Sequence, residues 1–340
     1  MKLLMISTDG NILNEGSGVQ MRQIEYAKKY DEVHIIVFTI GHRDPKEMIQ
    51  ITGNLFVHPT HSQSKISCIK DAIHIGREII KNARFSTADM ITTQDPFLTG
   101  VVGKRLKKKF NIPLEIQIHT DIGSPYFASE SLKNKIFLYL AKKNIPYADH
   151  IRVVSERIRR FLIEGKLIRV PELKIEVRPI MIDTEKIKNM SITVDVHKKY
   201  PQFRKIILMA SRLTKEKDIV TAIKAFAQVH KNISDTGLII VGSGPELENL
   251  QLTTNNLQLQ DDVIFEPWIE QTTLFSYYKT ADIFLSTSLY EGYGMSMAEA
   301  DAAGCPIVAT DAGIAPKIAR HLCSVGDVVC IANAIEGITR

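Results

Sequence analysis

Hydrophobic positions along this chain follow two alternating rhythms. Short β-branched runs read as buried strands: "KLLMIST", "VHIIVFTI", "DMITTQ", "PLEIQIH", "HIRVVS" and "IEVRPI" in the first half, then "KIILMAS", "TGLIIVGSG", "DVIFEPW", "ADIFLSTS" and "PIVATD". Between them, segments such as "VQMRQIEYAKKY", "IVTAIKAFAQVH" and "LFSYYKTA" place apolar residues three and four apart, the spacing of a helix face. Strand and helix in alternation predict parallel sheets covered by helices on both sides. About eleven strands are too many for one comfortable sheet. The polar stretch from Asp183 to Phe203 has no clean period, so the pattern divides the chain into two doubly wound α/β domains, residues 1–190 and 191–340. In such sheets ligands bind beyond the carboxyl ends of the strands, which directs attention to the loops that follow them.

Composition narrows the picture. With 340 residues, 44 % hydrophobic and 24 % charged, the chain has the make-up of a globular protein of two-domain length. The four cysteines, Cys68, Cys305, Cys323 and Cys330, are unevenly spaced and mostly flanked by apolar residues, which suggests neither a disulfide framework nor a zinc cluster and fits a reducing, cytoplasmic setting. No apolar run approaches the roughly 18 to 20 residues that cross a bilayer, and the opening "MKLLMISTDGN" reads as a first strand rather than a secretory leader.

Charge is divided unequally. Residues 1–200 hold 32 Lys and Arg against 22 Asp and Glu, whereas the whole chain nets only +5, so the second part is acidic. The basic part includes "KRLKKKF" (Lys104 to Phe110) and "SERIRRFLIEGK" (Ser155 to Lys166). A solvated helix face accounts for such runs; so does attraction to anionic lipid headgroups on the inner face of a membrane or to an acidic acceptor. Nucleic acid is disfavoured, because no aromatic-interleaved basic motif accompanies the charge.

Several loops after strands carry candidate chemistry. Gly16-Ser17-Gly18 precedes an amphipathic helix, where backbone N–H groups can meet an anion, although Met21 breaks the dinucleotide-binding spacing. His119 ends the strand "PLEIQIH" and is a candidate to hydrogen-bond a polar substrate. "SRLTKEK" delivers Arg212 and Lys217 to the start of a helix, a placement that opposes the helix dipole unless a polyanion such as a diphosphate binds there. "VGSGPE" supplies Gly242-Ser243-Gly244-Pro245, for which a tight structural turn is the favoured reading. In "SLYEGYGMSMAEADAAGCPIVATDAG" two acids stand eight positions apart. With a helix from Gly294 to Gly304, Glu299 shares a face with Met295, Ala298, Ala302 and Ala303, while Asp301 points away to solvent. An inward carboxylate is costly unless donors satisfy it, and ligand hydroxyls are donors.

These motifs together, Glu291 and Glu299 in E-x7-E, with "SRLTKEK" and "VGSGPE" upstream, resemble the retaining group 1 glycosyltransferases of family four, which have the GT-B architecture of two Rossmann-like domains facing a cleft. The resemblance runs from the first glycine loop through "ADHIRVVSERIRRFL" to "IVATDAG", and is more specific in the second domain. It implies transfer of a hexose from a UDP- or GDP-sugar to an acceptor hydroxyl on a glycan or lipid-linked molecule, in cell-surface polysaccharide or glycolipid synthesis. It also implies roles: Glu291 for the donor sugar's hydroxyls, Glu299 for the ribose, and the amides of Gly294, Met295 and Ser296 for sugar and diphosphate. Arg212 and Lys217 would neutralise the leaving diphosphate, Gly18 would approach it, and His119 would hydrogen-bond the transferred sugar. Phe265 and Trp268 would line the base pocket. Neither a cofactor nor a metal ion is implied.

The chain departs from the family's pattern at "PIMID" (Pro179 to Asp183), where the family often reads "PNGVD", and at Ser211, where it often has Gly. It ends at "ANAIEGITR", so a second domain short at its C-terminus is expected. A non-hydrolysing sugar-nucleotide epimerase and a catalytically inactive nucleotide-sugar-binding subunit share the architecture and remain as alternatives; the first would need further acid and base residues beside the sugar.

Overall fold

A computed structural model describes residues 1–41, 48–165 and 168–339. The chain forms two compact units, one of Met1–Gly123 with Ser131–Arg178, the other of Ser124–Glu130 with Pro179–Arg340.

The first unit is built on β1 (Lys2–Ser7), β2 (Glu32–Val37), β3 (Ile49–Thr52), β4 (Leu55–Pro59), β5 (Met90–Thr93), β6 (Leu114–Ile118), β7 (His150–Val153) and β8 (Ile175–Val177). Their order is β3-β4-β2-β1-β5-β6-β7-β8, parallel except for the β3–β4 hairpin. β1 and β2 bury nearly every residue, as strands covered on both faces must. Strand order reverses between β1 and β5, where ligand crevices form in such sheets, and the first glycine loop follows β1.

The second unit is built on β9 (Lys205–Ala210), β10 (Thr236–Val241), β11 (Val263–Glu266), β12 (Ile283–Ser286), β13 (Ile307–Thr310) and β14 (His321–Cys323), in the order β11-β10-β9-β12-β13-β14 with every neighbouring pair parallel. Here the reversal lies between β9 and β12. Two apolar cores, one on each face of this sheet, include Phe226 and Ile240 on one side and Tyr278 and Phe284 on the other.

All eleven strands expected from the sequence form. β3, β4 and β14 do so in addition: the first two form a hairpin about the short "ITGNLF" segment, and β14 has only three residues. The expected join at 183–203 differs from the structure, where the units divide after Arg178. Ile187, Val196 and Phe203 are buried in the second unit's core, too far apart to show a period. The cysteine reading is corrected: Cys323 and Cys330 form a disulfide between β14 and the helix Val328–Thr339, with Cα atoms 5.8 Å apart. Cysteine count therefore no longer argues for a reducing setting. Cys68 and Cys305 are free and buried. Among the described residues no helix is long and apolar enough to cross a membrane. Lys166 of the second basic run lies outside the described residues.

Candidate functional site

The second unit assembles most of the candidate residues at its switch point. After β9 the chain turns at Ser211, and its backbone is laced to the loop after β10: Ser211 N–H donates to Val241 O (3.0 Å), Leu213 N–H to Ser243 O (2.9 Å) and Glu246 N–H to Leu213 O (3.0 Å). A Cβ on Gly242 would stand 1.9 Å from Ser211 O, and one on Gly244 would stand 2.3 Å from Leu213 O. The glycines of "VGSGPE" thus let two loops approach, in keeping with the structural reading of that motif.

The chain next makes a 3-10 turn, Lys215–Lys217, before the helix Ile219–Asn232. The loop after β12 is fastened to this turn. Thr287 Oγ1 donates to the carbonyls of Lys217 and Asp218 (3.0 Å each), and Leu289 N–H donates to Glu216 O (2.8 Å). This lacing brings Lys217 Nζ onto Glu291 Oε1 as an ion pair, with Ser288 Oγ donating to the same oxygen at 3.0 Å. Their side chains are only 14 % and 17 % exposed. Arg212 is exposed and pairs with Glu216 (3.0 Å). The cations that the sequence left awaiting a polyanion each have a carboxylate partner here, and Glu216 is a participant that only the four-residue spacing from Arg212 could have signalled.

Two glycines shape the approach to the next helix. Gly294, at φ +99°, caps Met295–Ala302, whose first-turn amides have no intrahelical acceptor. Gly313, at φ +56°, lies where a Cβ would stand 2.3 Å from Tyr293 O and 2.8 Å from Glu291 Cβ. The motif gives Gly313 no local reason to be glycine; its requirement arises from a strand that follows Glu291 and returns beside it. Ser288 is a second partner of Glu291 that the motif alone does not signal.

Glu299 is buried and Asp301 exposed, as helix periodicity required. The donors that satisfy Glu299 are protein groups, Gln271 Nε2 at 3.1 Å and Tyr278 OH at 3.4 Å, so ligand hydroxyls are not needed to explain its burial. Burial raises its pKa, and the two hydrogen bonds oppose that rise. Phe265 is partly buried in β11 and Trp268 is exposed beyond it. Between them, buried Glu266 accepts from Lys199 Nζ (2.8 Å), Tyr277 OH (3.0 Å) and Tyr200 OH, fastening two helices to the end of β11.

In the first unit, Gly18 is the first residue of the helix Gly18–Ala27, with Ser17 Oγ accepting from Gln20 N–H (3.1 Å). A Cβ there would meet only the Arg22 guanidinium at 3.5 Å, so packing does not demand glycine. His119 lies one residue past β6, with Nε2 3.0 Å from Gln117 Oε1. It is exposed by area, yet protein atoms crowd the ring; that loss of hydration first, and the Arg152 charge second, lower its pKa. Gly18 and His119 belong to one unit and the remaining candidates to the other. Residues Ser124–Glu130, which follow His119, pack in the second unit, where Tyr290 OH donates to Glu130 and the rings of Phe127 and Tyr290 meet edge-on at 5.7 Å. No group of three His, Cys, Asp or Glu among the described residues is arranged to hold a metal ion.

Two doubly wound domains with charged loops at the second switch point define the GT-B architecture. Solved structures share it: sucrose-phosphate synthase from Thermosynechococcus elongatus matches with a TM-score of 0.79 at 21 % identity, covering 100 % of this chain and 90 % of that one. The Anabaena protein Alr3699/HepE in complex with UDP and glucose matches at 0.70 and 20 % identity, again over 100 % and 90 %. The family model for glycosyl transferases group 1 matches residues 195–334, and that for Glycosyltransferase Family 4 matches 24–186. The chain belongs to the group 1, family four glycosyltransferases. Among curated relatives, alpha-monoglucosyldiacylglycerol synthase of Streptococcus pneumoniae is 31 % identical over 65 % of this chain and 51 % of its own length. GDP-mannose-dependent alpha-(1-6)-phosphatidylinositol monomannoside mannosyltransferase of Mycobacterium tuberculosis is 28 % identical over 44 % and 42 %. The chain spans about half the length of the curated relatives it matches.

Proposed function

We propose that the protein transfers a hexose, with retention, from a UDP- or GDP-sugar to a hydroxyl of a glycan or lipid-linked acceptor in cell-surface glycolipid or polysaccharide synthesis. The observation that carries this reading is the largely shielded Lys217–Glu291 pair at the second switch point, beside the helix headed by Gly294. A donor there would exchange partners with the pair: its diphosphate for Lys217, its sugar hydroxyls for Glu291. Relatives named for a glucosylated diacylglycerol and for GDP-mannose, and a neighbour solved with UDP and glucose, support the donor and acceptor classes without choosing among them.

In the reaction the bond from the anomeric carbon to the phosphate oxygen breaks, and the acceptor oxygen bonds to that carbon on the same face. The acceptor's proton passes to the departing phosphate oxygen. Negative charge grows on the diphosphate, so Arg212, Lys217 and the amides of Gly294, Met295 and Ser296 are assigned to it, in place of a metal ion; a lost donor at such a position typically costs about 3 to 4 kcal/mol. Glu299 is assigned to the ribose and Phe265 and Trp268 to the base, and the resemblance assigns Gly18 to the diphosphate and His119 to the transferred sugar. Incubation with UDP- and GDP-sugars, a panel of lipid and glycan acceptors and a nucleotide-release readout tests it. Acceptor-dependent release is expected with one donor; binding of no donor would overturn the reading.

A further inference from the structure

In the first unit the helix Leu132–Asn144 is apolar on two opposite sides. One side is packed: Asn144 Nδ2 donates to the carbonyls of Pro96 (2.9 Å) and Phe97 (3.0 Å), and Phe137 stacks on Phe97 with centroids 4.6 Å apart. The other side shows Leu132, Ile136 and Tyr139, spaced four and three residues apart on one face and exposed by 74 %, 51 % and 58 %. A single exposed apolar residue needs no explanation, but a row of three does.

The charge on this helix and on the one it packs against is of one sign. Helical spacing puts Lys133 and Lys135 to either side of it and Lys143 in line one turn beyond. The adjoining helix Leu98–Phe110 adds cations on the same surface: Lys104 Nζ donates to the Lys143 carbonyl (3.0 Å), and Lys104 and Lys108 lie over the Tyr147 ring at 5.4 Å and 4.2 Å. Neither helix contains an Asp or Glu.

We propose that this face docks on an anionic lipid bilayer, with Leu132, Ile136 and Tyr139 in the boundary between headgroups and acyl chains and the flanking lysines on lipid phosphates. Apolar residues amid cations, with no acid interspersed, is the chemistry of a helix lying in a membrane interface. A protein-binding surface of this aromatic content would be depleted of lysine at its centre. A nucleic acid would leave Leu132 and Ile136 without a partner. The inference goes beyond the transfer reading, since docking needs no sugar nucleotide.

Co-sedimentation of the full chain with vesicles tests it, comparing pure phosphatidylcholine with phosphatidylcholine containing about 30 % phosphatidylglycerol, a fraction chosen to give an anionic surface. Binding to the anionic vesicles alone is expected, weakening as salt rises. Lys133→Gln with Lys135→Gln lowers partitioning about 25-fold, at about fivefold per cation, whereas Arg157→Gln with Arg160→Gln, which removes equal charge from the helix Glu156–Glu164, changes it less than twofold. Leu132→Ser with Ile136→Ser and Tyr139→Ser weakens binding at every salt concentration. Equal binding to neutral vesicles, equal losses from both charge variants, or wild-type binding by the serine variant with an unchanged circular dichroism spectrum would overturn the proposal. So would tighter binding of single-stranded RNA through the same lysines. Nucleotide release with a soluble acceptor does not enter these outcomes, so failure of docking and failure of the transfer reading are separable.

Discussion

Lys217 Nζ and Glu291 Oε1 form an ion pair across 74 residues of sequence, at the carboxyl edge of the second sheet. Removing either partner would leave a shielded charge uncompensated, while together the two side chains hold each other in position. The residues to which the resemblance gives the diphosphate and the sugar are thus held against each other, and each can be released to a ligand of the other's charge.

Glu291→Gln keeps the shape and the Ser288 hydrogen bond but removes the charge. The expected result is a fall in kcat/KM of on the order of a hundred- to a thousandfold, measured at temperatures where the variant is still folded, because Lys217 left without its partner also lowers the unfolding temperature. Lys217→Ala should match it, and Lys217→Arg should recover part of the loss. Steady-state kinetics on the donor found by the nucleotide-release screen decides the matter; an unchanged kcat/KM for Glu291→Gln would remove that residue from the sugar.

Gly313 and Gly304 make an internal control. Both have positive φ, +56° and +82°, but a Cβ on Gly304 has open space whereas one on Gly313 meets Tyr293 O and Glu291 Cβ. Gly304→Ala is expected to cost about 1 to 2 kcal/mol of stability and leave activity intact. Gly313→Ala costs more and displaces Glu291, so activity falls at temperatures where the variant is still folded. Equal activity in the two variants would mean that Gly313 does not set the position of Glu291.

The strands were legible because parallel strands buried on both faces read as continuous apolar runs, and the inward turn of Glu299 because helix periodicity separates it from Asp301. What escaped the sequence was non-local. Gln271 and Tyr278 satisfy Glu299 from another helix, and Gly313 returns beside Glu291 only after a further strand. Cys323 and Cys330 come within bonding reach because β14 feeds directly into the last helix. The exposed row Leu132, Ile136, Tyr139 was hidden for another reason: the helix is apolar on its packed side as well, so no single face stood out.

Glu299 ties stability to pH through burial. Its folded pKa is raised, so the folded state favours the protonated form; stability from that preference is present below the unfolded pKa and is lost as pH rises through the folded one. Glu299→Gln, which cannot ionise and still accepts from Gln271, is therefore expected to unfold at a higher temperature than wild type at pH 7.5 and to lose that advantage near pH 4. Donor affinity should fall more than twofold in the same variant. Affinity within twofold of wild type would end the ribose assignment, and an equal unfolding temperature at both pH values would end the titration argument.

The first unit carries the opposite dependence. Glu32 Oε1 lies 2.8 Å from His34 Nε2, and His34 Nδ1 lies 2.9 Å from His58 Nε2, an arrangement satisfied when both rings are neutral, with His34 donating to Glu32 and His58 donating to His34. Burial pushes His58 down to about 4, with the charge on His34 adding to the shift; burial also lowers His34, against the pull of Glu32. Because the folded values lie below the unfolded one, the stability these rings contribute is complete above about pH 6.5 and is lost as pH falls toward the folded values. Thermal unfolding should therefore move to lower temperature between pH 6.5 and 4.5, with each ring contributing at most about 1.4 kcal/mol per pH unit. His58→Gln preserves a donor for His34 Nδ1 and removes one titrating group, so its decline over that interval should be shallower than that of wild type. Parallel declines in the two proteins would show that the buried histidines do not set the acid limit of this domain.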